Sequence, residues 1–225
     1  MKNETSITAI LLMGGSGNRL NSLLPKQFHL LKGWPVYQYA LETFLQIERF
    51  EEILLVSHPN WLDKLEHLAE NKKVRVVAAG LTRQESSYLG LLACKKNTTH
   101  VVIHDAVRPF VSKEILYQHI EAVIKYGAVD TCIPSSDTIV HSIDGHLIDA
   151  IPPRQEYLRG QTPQSFEYDL ILNAHIKAIA KGKVNASDDC QLIIEEKGRV
   201  YIIKGEERNI KITTELDLEL AQLIN

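Results

Sequence analysis

The chain has 225 residues, 44% hydrophobic and 24% charged, with 25 Lys+Arg against 28 Asp+Glu for a formal charge of −3. That length supports one domain with a full core, and the composition excludes disordered and fibrous architectures. There is no basic surplus of the kind a nucleic-acid binder needs.

Cys94, Cys132 and Cys190 are odd in number and far apart. They form neither a CxxC metal pair nor a disulfide framework, so a cytoplasmic location is expected. The first six residues carry an acid and lead into only seven mostly apolar ones, unlike a signal peptide. No run approaches the ~18 apolar residues of a membrane span.

The first predicted strand, 7–13, is an apolar run ending in Met13-Gly14-Gly15-Ser16-Gly17-Asn18-Arg19, followed by Pro25-Lys26-Gln27-Phe28. Three glycines in four residues let the backbone turn tightly and aim several N–H groups at one point, a nest that suits phosphate oxygens. Arg19 and Lys26 add two cations, which makes a nucleoside triphosphate the preferred ligand over a plain glycine turn with basic neighbours. A Walker loop would need Gly-Lys-Ser/Thr after four spacers, which is absent. A dinucleotide fingerprint would need glycine where Leu20 stands and an acid where Ser57-His58 end the next strand.

That second strand, 53–57, is followed by a helical pattern, Trp61, Leu65 and Leu68 behind an expected Asn60 cap. Strand 74–78 leads through Ala79-Gly80-Leu81-Thr82 to Arg83-Gln84-Glu85-Ser86, where Thr82 suits a helix cap and Arg83 with Ser86 suits a base or ribose contact equally well. Strand 101–104 ends in His104-Asp105-Ala106-Val107-Arg108-Pro109. A carboxylate at the carboxyl edge of a parallel strand is placed to hold Mg2+ beside phosphates, and Arg108 to contact the same phosphates; a surface ion pair is the bland alternative.

Leu116, Ile120, Val123 and Ile124 predict a helix behind Ser112, and 129–133 the next strand. Residues 137–161 break the rhythm with two short alternating runs around Asp144-Gly145, a good hairpin turn. A two-stranded ribbon is marginal alone in water, so this arm is expected to pack on something, a second subunit being favoured over its own domain. Asp188-Asp189 precede an apolar helical segment; capping accounts for one of them and a metal contact is open for the other. After strand 200–203, Lys211 sits inside the β-like run Asn209-Ile210-Lys211-Ile212-Thr213, and must reach solvent or meet an anion. Leu216, Leu220, Leu223 and Ile224 predict a last helix behind Thr214, with Asp217 three residues after the cap. Strand–helix alternation of this kind argues a parallel, doubly wound α/β sheet with helices on both faces, whose ligands bind at the carboxyl ends of the strands. No histidine spacing suits a metal, and no nucleophile triad is evident.

Four segments in order, the glycine loop with Pro25-Lys26-Gln27-Phe28, His104 to Phe110, Gln161-Thr162-Pro163-Gln164-Ser165-Phe166 and Asn209 to Thr213, resemble the polyol-phosphate cytidylyltransferases from the first strand to the last helix. The resemblance implies one domain over 1–225 with a Rossmann-like nucleotidyltransferase fold: a mostly parallel central sheet, helices on both faces, and a protruding β-arm at 137–161 exchanged in a homodimer. It implies CTP as substrate and Mg2+ as cofactor. Met13, Gly14, Gly15, Gly17, Arg19 and Lys26 match the triphosphate loop; Gly80, Arg83 and Ser86 the cytosine segment; Asp105 the metal-side carboxylate, with Arg108 its neighbour. Thr138 and Arg154 match arm residues that hold the polyol phosphate of the partner's site, and Lys211 the substrate-phosphate lysine. Arg19, Lys26 and Lys211 are the expected catalytic cations.

The family makes CDP-methylerythritol for non-mevalonate isoprenoid synthesis or CDP-ribitol for cell-surface polymers. Arg83-Gln84-Glu85-Ser86, Gly90-Leu91 and Asp188-Asp189 resemble the first branch; Ile151-Pro152-Pro153-Arg154 and Tyr157 to Gln164 resemble the second. The methylerythritol branch, the more widespread, is the expectation, and ribitol 5-phosphate the alternative acceptor. A non-catalytic nucleotide-binding regulator and a dinucleotide oxidoreductase are the rival classes.

Overall fold

The computed structural model describes residues 5–15 and 24–224; Gly17 and Arg19 lie outside the described residues. The seven-residue run Ile7–Met13 forms β1, buried throughout because it lies between helices on both sides. Ile7, Ala9, Leu11 and Met13 face one core and Ile10 and Leu12 the other, as the two-residue side-chain period requires. On the first face lie α1 (Val36–Leu45) and α3 (Lys113–Tyr126); on the second lie α2 (Arg83–Ala93), α4 (Tyr168–Ala180) and α5 (Asp189–Glu195). A short antiparallel pair, β2 (Leu30–Leu31) with β3 (Trp34–Pro35), stands apart and packs near α6 (Glu215–Leu223).

The main sheet contains β1, β4 (Phe50–Ser57), β5 (Val74–Ala78), β6 (His100–Asp105), β7 (Ala128–Pro134), β8 (Leu158–Glu167) and β9 (Tyr201–Lys204) in the order β5-β4-β1-β6-β8-β7-β9. All neighbours run parallel except β8, antiparallel to both β6 and β7. The expected α/β sheet with helices on both faces is therefore present, and one strand departs from the all-parallel pattern. β7 ends at the carboxyl edge, the chain leaves the domain, and it can only re-enter the sheet running the opposite way.

That excursion is the expected arm, with a changed boundary. Residues 158–161 belong to β8, where Leu158, Arg159 and Gly160 pair with Pro134, Ile133 and Cys132. Between them the arm is held by a single bridge, His141 to Ala150, and by the turn at Asp144, whose Oδ1 accepts from His146 N and Leu147 N. Gly145 takes a φ of +73°, the left-handed conformation that glycine adopts without penalty.

Caps follow the chemistry of the letters at several ends. Ser112 accepts from Ile115 N, Thr82 from Glu85 N and Asp188 from Gln191 N, and Thr214 with Asp217 makes a reciprocal capping box. One expectation is corrected. The segment after β4 is not an α-helix capped by Asn60 but two 3-10 stretches, Pro59–Trp61 and Asp63–Glu70, the first capped by His58 because Pro59 takes its first position. The β-like run 209–213 joins no ladder: Ile212 N donates to Val107 O in the loop after β6, and Asn209 Nδ2 to Thr162 O on β8, so one main-chain and one side-chain hydrogen bond fix the segment.

Candidate active site

Parallel strands deliver their following loops to one edge of the sheet, and there the loops after β1, β5 and β6 enclose a cleft of about 700 Å³. Met13, Gly14, Gly15, Lys26, Gly80, Arg83, Ser86, Asp105 and Lys211 all line it. Nine residues from five separated segments of the chain thus meet at one place.

The glycines are there for a reason other than left-handed backbone. A Cβ on Gly14 would lie 2.5 Å from the Cβ of Ala79 and 3.3 Å from Ser86 Oγ. The loop after β1 and the loop after β5 are therefore in backbone contact distance, which only glycine permits. Among the described residues nothing lies within 4 Å of where a Cβ on Gly15 would stand. Gln27, quoted in the motif but given no role, holds this loop: its fully buried amide donates to Met13 O at 2.6 Å and Gly15 O at 3.1 Å. With the carbonyls of the loop occupied from behind, its remaining polar edge is left for a ligand.

Opposite the glycines stands Asp105. Its main-chain N–H donates to Thr162 Oγ1, and that hydroxyl faces His104 Nδ1, while His104 Nε2 donates to Arg108 O. The ring is fully buried, which pushes its pKa down to about 4 and leaves it neutral, as this donor–acceptor chain demands. Asp105 Oδ2 lies 2.8 Å from Lys211 Nζ, and Oδ1 3.5 Å from Arg83 Nε. Burial by itself would raise this carboxyl, but Arg83 and then Lys211 outweigh it and hold it well below the usual range. The carboxylate is thus ionised and carries two cations at the wall of the cleft. Of the two outcomes open to Lys211, solvent or an anion, both occur: its side chain is partly exposed and its ammonium meets Asp105.

Arg83 reaches in the other direction too. Its Nη1 donates at 2.8 Å to Asp189 Oδ2. Of the acidic pair, Asp188 is the cap of α5, and Asp189 is a buried partner of Arg83 and His175 in place of the metal contact left open for it.

Other expected residues stand elsewhere. Arg108 is buried, spends Nη1 on Asn209 O at 2.8 Å, and does not line the cleft. That hydrogen bond fixes the segment carrying Lys211. Thr138 and Arg154 are exposed at the base of the arm, where Arg154 Nη1 donates to Ser136 O, and neither lines the cleft of its own chain.

With this geometry in view, the chain matches a family model over residues 7–225, that of 2-C-methyl-D-erythritol 4-phosphate cytidylyltransferase. It is similar to the 4-diphosphocytidyl-2C-methyl-D-erythritol synthase of Anaerococcus prevotii, at 32% identity over 97% of this chain and 95% of that one, with a TM-score of 0.87. It is also similar to the 2-C-methyl-D-erythritol 4-phosphate cytidylyltransferase of Thermus thermophilus, at 29% identity over 95% and 96% of the two chains, with a TM-score of 0.78. Of the two branches open in the sequence, the match is to the methylerythritol one. The fold, the cleft and a match along nearly the whole length agree, and the chain belongs to the 2-C-methyl-D-erythritol 4-phosphate cytidylyltransferase family.

Proposed function

We infer that this chain transfers the cytidylyl group of CTP to 2-C-methyl-D-erythritol 4-phosphate in non-mevalonate isoprenoid synthesis. A phosphate oxygen of the acceptor attacks the α-phosphorus, the bond from that phosphorus to the bridging oxygen breaks, and pyrophosphate leaves with the electron pair. The acceptor phosphate is already largely dianionic, with a second pKa of about 6, so no general base is needed. This fits a cleft lined by Lys26, Arg83 and Lys211, with Asp105 held ionised beside two of them and with Glu85 and His58 also on its wall.

The observation that carries this reading is the convergence of the Gly14-Gly15 loop, Lys26, Lys211 and Asp105 on one cleft. The obstacle to reaction is repulsion between two phosphorylated molecules, about 1 kcal/mol for each pair of unit charges 4 Å apart even in water and more in a cleft. Lys26 and Lys211 oppose that repulsion and the charge passing to the leaving group. Gly80, Arg83 and Ser86, on the wall facing the glycine loop, are the proposed cytosine side, with Met13 at the end of β1 beside the triphosphate. Arg19 is the further phosphate cation of this reading.

Magnesium takes one or two carboxylates and completes its shell with phosphates and water. Asp105 meets that need, being ionised, and its Oδ1 is only loosely held by Arg83 at 3.5 Å. Among the described residues no group of three or more His, Cys, Asp or Glu could hold a metal, so the remaining ligands would come from CTP and solvent. Bound there, the ion would neutralise phosphate charge.

The arm supports a homodimer. Ile143, Leu147, Ile148 and Ile151 are 85%, 70%, 61% and 63% exposed, a density of apolar surface that calls for a covering partner. In such a dimer Thr138 and Arg154 would serve the neighbouring cleft. No helix among the described residues is long and apolar enough to cross a membrane, and three free cysteines suit the reducing cytoplasm.

The test is pyrophosphate release with CTP, Mg2+ and one acceptor per tube. Methylerythritol 4-phosphate should be turned over and ribitol 5-phosphate far more slowly. Lys26→Ala and Lys211→Ala should each lower turnover by roughly 10²-fold or more with unchanged circular dichroism, the scale of losing one charge-stabilising group. Wild-type rates in both variants, or no turnover of the first acceptor by the parent enzyme, would refute the reading.

A further inference from the structure

Behind the wall of the cleft lies a buried pair that none of the roles above uses. Asp189, 1% exposed, is the first residue of α5, and His175, fully buried, projects from α4. His175 Nε2 donates to Asp189 Oδ1 at 2.9 Å, and the ring stacks on Tyr88 of α2 with centroids 5.9 Å apart. Asp189 is also tied through its own N–H to Gln164 Oε1 on β8. Neither Asp189 nor His175 lines the cleft.

We propose that Asp189, held by His175, is a positioning residue for cytidylyl transfer: it draws the Arg83 guanidinium back so that Asp105 is not sealed in an arginine clamp. This rests on the function proposed above. Arginine facing a carboxylate favours a two-pronged pair with N–O distances near 2.7–2.9 Å, roughly. Between Arg83 and Asp105 the one ion-pair contact is long, 3.5 Å from Nε, whereas the short contact, 2.8 Å from Nη1, goes to Asp189. Arg83 Nη2 is buried without a hydrogen-bond partner among the described residues, so the fork is split between two carboxylates and completes a two-pronged pair with neither. Asp189 cannot follow Arg83 forward, because its other oxygen and its main-chain N–H are fixed on two other elements.

A buried ion pair that only stabilises the fold would affect activity independently of Arg83. A positioning pair acts only through it, so the two variants should not multiply. Asp189→Asn should lower kcat/KM for CTP about tenfold or more, and less than twofold in an Arg83→Gln background. His175→Phe keeps the ring on Tyr88 and removes the donor. It should lower kcat/KM about threefold to tenfold, again only when Arg83 is present, and it decides the matter should Asp189→Asn not fold. A second readout needs no turnover: in 15N-labelled wild type the Arg83 Nη resonances should be resolved by hindered rotation about Nε–Cζ, and in His175→Phe they should merge. Equal losses with and without Arg83, or unchanged Arg83 resonances in His175→Phe, would overturn the proposal. A wild-type chain inactive on CTP would instead overturn the function it rests on.

Discussion

Replacing Gly14 by alanine probes the packing that shapes the cleft. The new methyl would sit 2.5 Å from Ala79 Cβ, about 1 Å or more inside an ordinary carbon–carbon contact of roughly 3.5–4.0 Å. Ala79 Cβ has no freedom to rotate away, so one of the two loops must move. Overpacking of this kind costs about 1–3 kcal/mol. For a chain of this size each kcal/mol lowers Tm by roughly 2–4 °C, so a drop of about 2–12 °C is expected. The same shift pushes Gly80, Arg83 and Ser86 away from Gly15 and Lys26, and an ångström of displacement costs on the order of 10²-fold in rate. Gly15→Ala is the control, because its Cβ meets nothing within 4 Å among the described residues. Calorimetry and steady-state kinetics on both variants measure the difference. Equal melting temperatures and equal kcat/KM for the two would refute the claim that close loop contact is what requires glycine here.

Asp130 offers a pH test. Burial lifts its pKa to about 6, only partly countered by the Gln164 amide at 3.0 Å, so between about pH 4 and 6 the folded chain binds more protons than the unfolded one. The contribution of Asp130 should therefore fall as pH rises through that window, while buried His104 and His119, whose pKa values burial depresses, act in the opposite direction on the total. Asp130→Asn, which keeps an acceptor for Gln164, should remove up to roughly 3 kcal/mol of this loss at pH 7 and change nothing below pH 4, as urea unfolding across pH would report. A stability difference between Asp130→Asn and wild type that stays constant from pH 4 to 7 would contradict it. On the arm, Ile143→Asp with Ile148→Asp should yield a monomer by light scattering with the domain still folded. Arg154→Ala mixed with Lys211→Ala should regain activity through hybrid dimers, and no recovery on mixing would count against a shared site.

What the sequence by itself determined is local. The run Ile7–Met13 reads as a buried strand on letters alone, because it holds six apolar residues and one threonine, stops at Gly14-Gly15, and is too short for a core helix. Ser112, Thr82 and the Thr214–Asp217 box begin helices because a side-chain oxygen satisfies an otherwise orphaned N–H within three residues. Gly14, Gly15, Lys26, Asp105 and Lys211, which meet at the cleft, were legible as candidates because their motifs are contiguous and their types match phosphate chemistry. Pairing across the chain was not legible. Strand β8 reads as the tail of an arm because nothing local says that Gly160 will oppose Cys132. Residues 209–213 read as a β-like run, and an alternating pattern is silent on whether a neighbouring ladder exists. The residues that hold the site were hidden for the same reason: Gln27 spans 14 positions to Met13, Arg108 reaches 101 positions to Asn209, and Arg83 reaches 106 positions to Asp189. A hydrogen bond or ion pair is decided by distances of about 3 Å, and only the folded chain sets those distances.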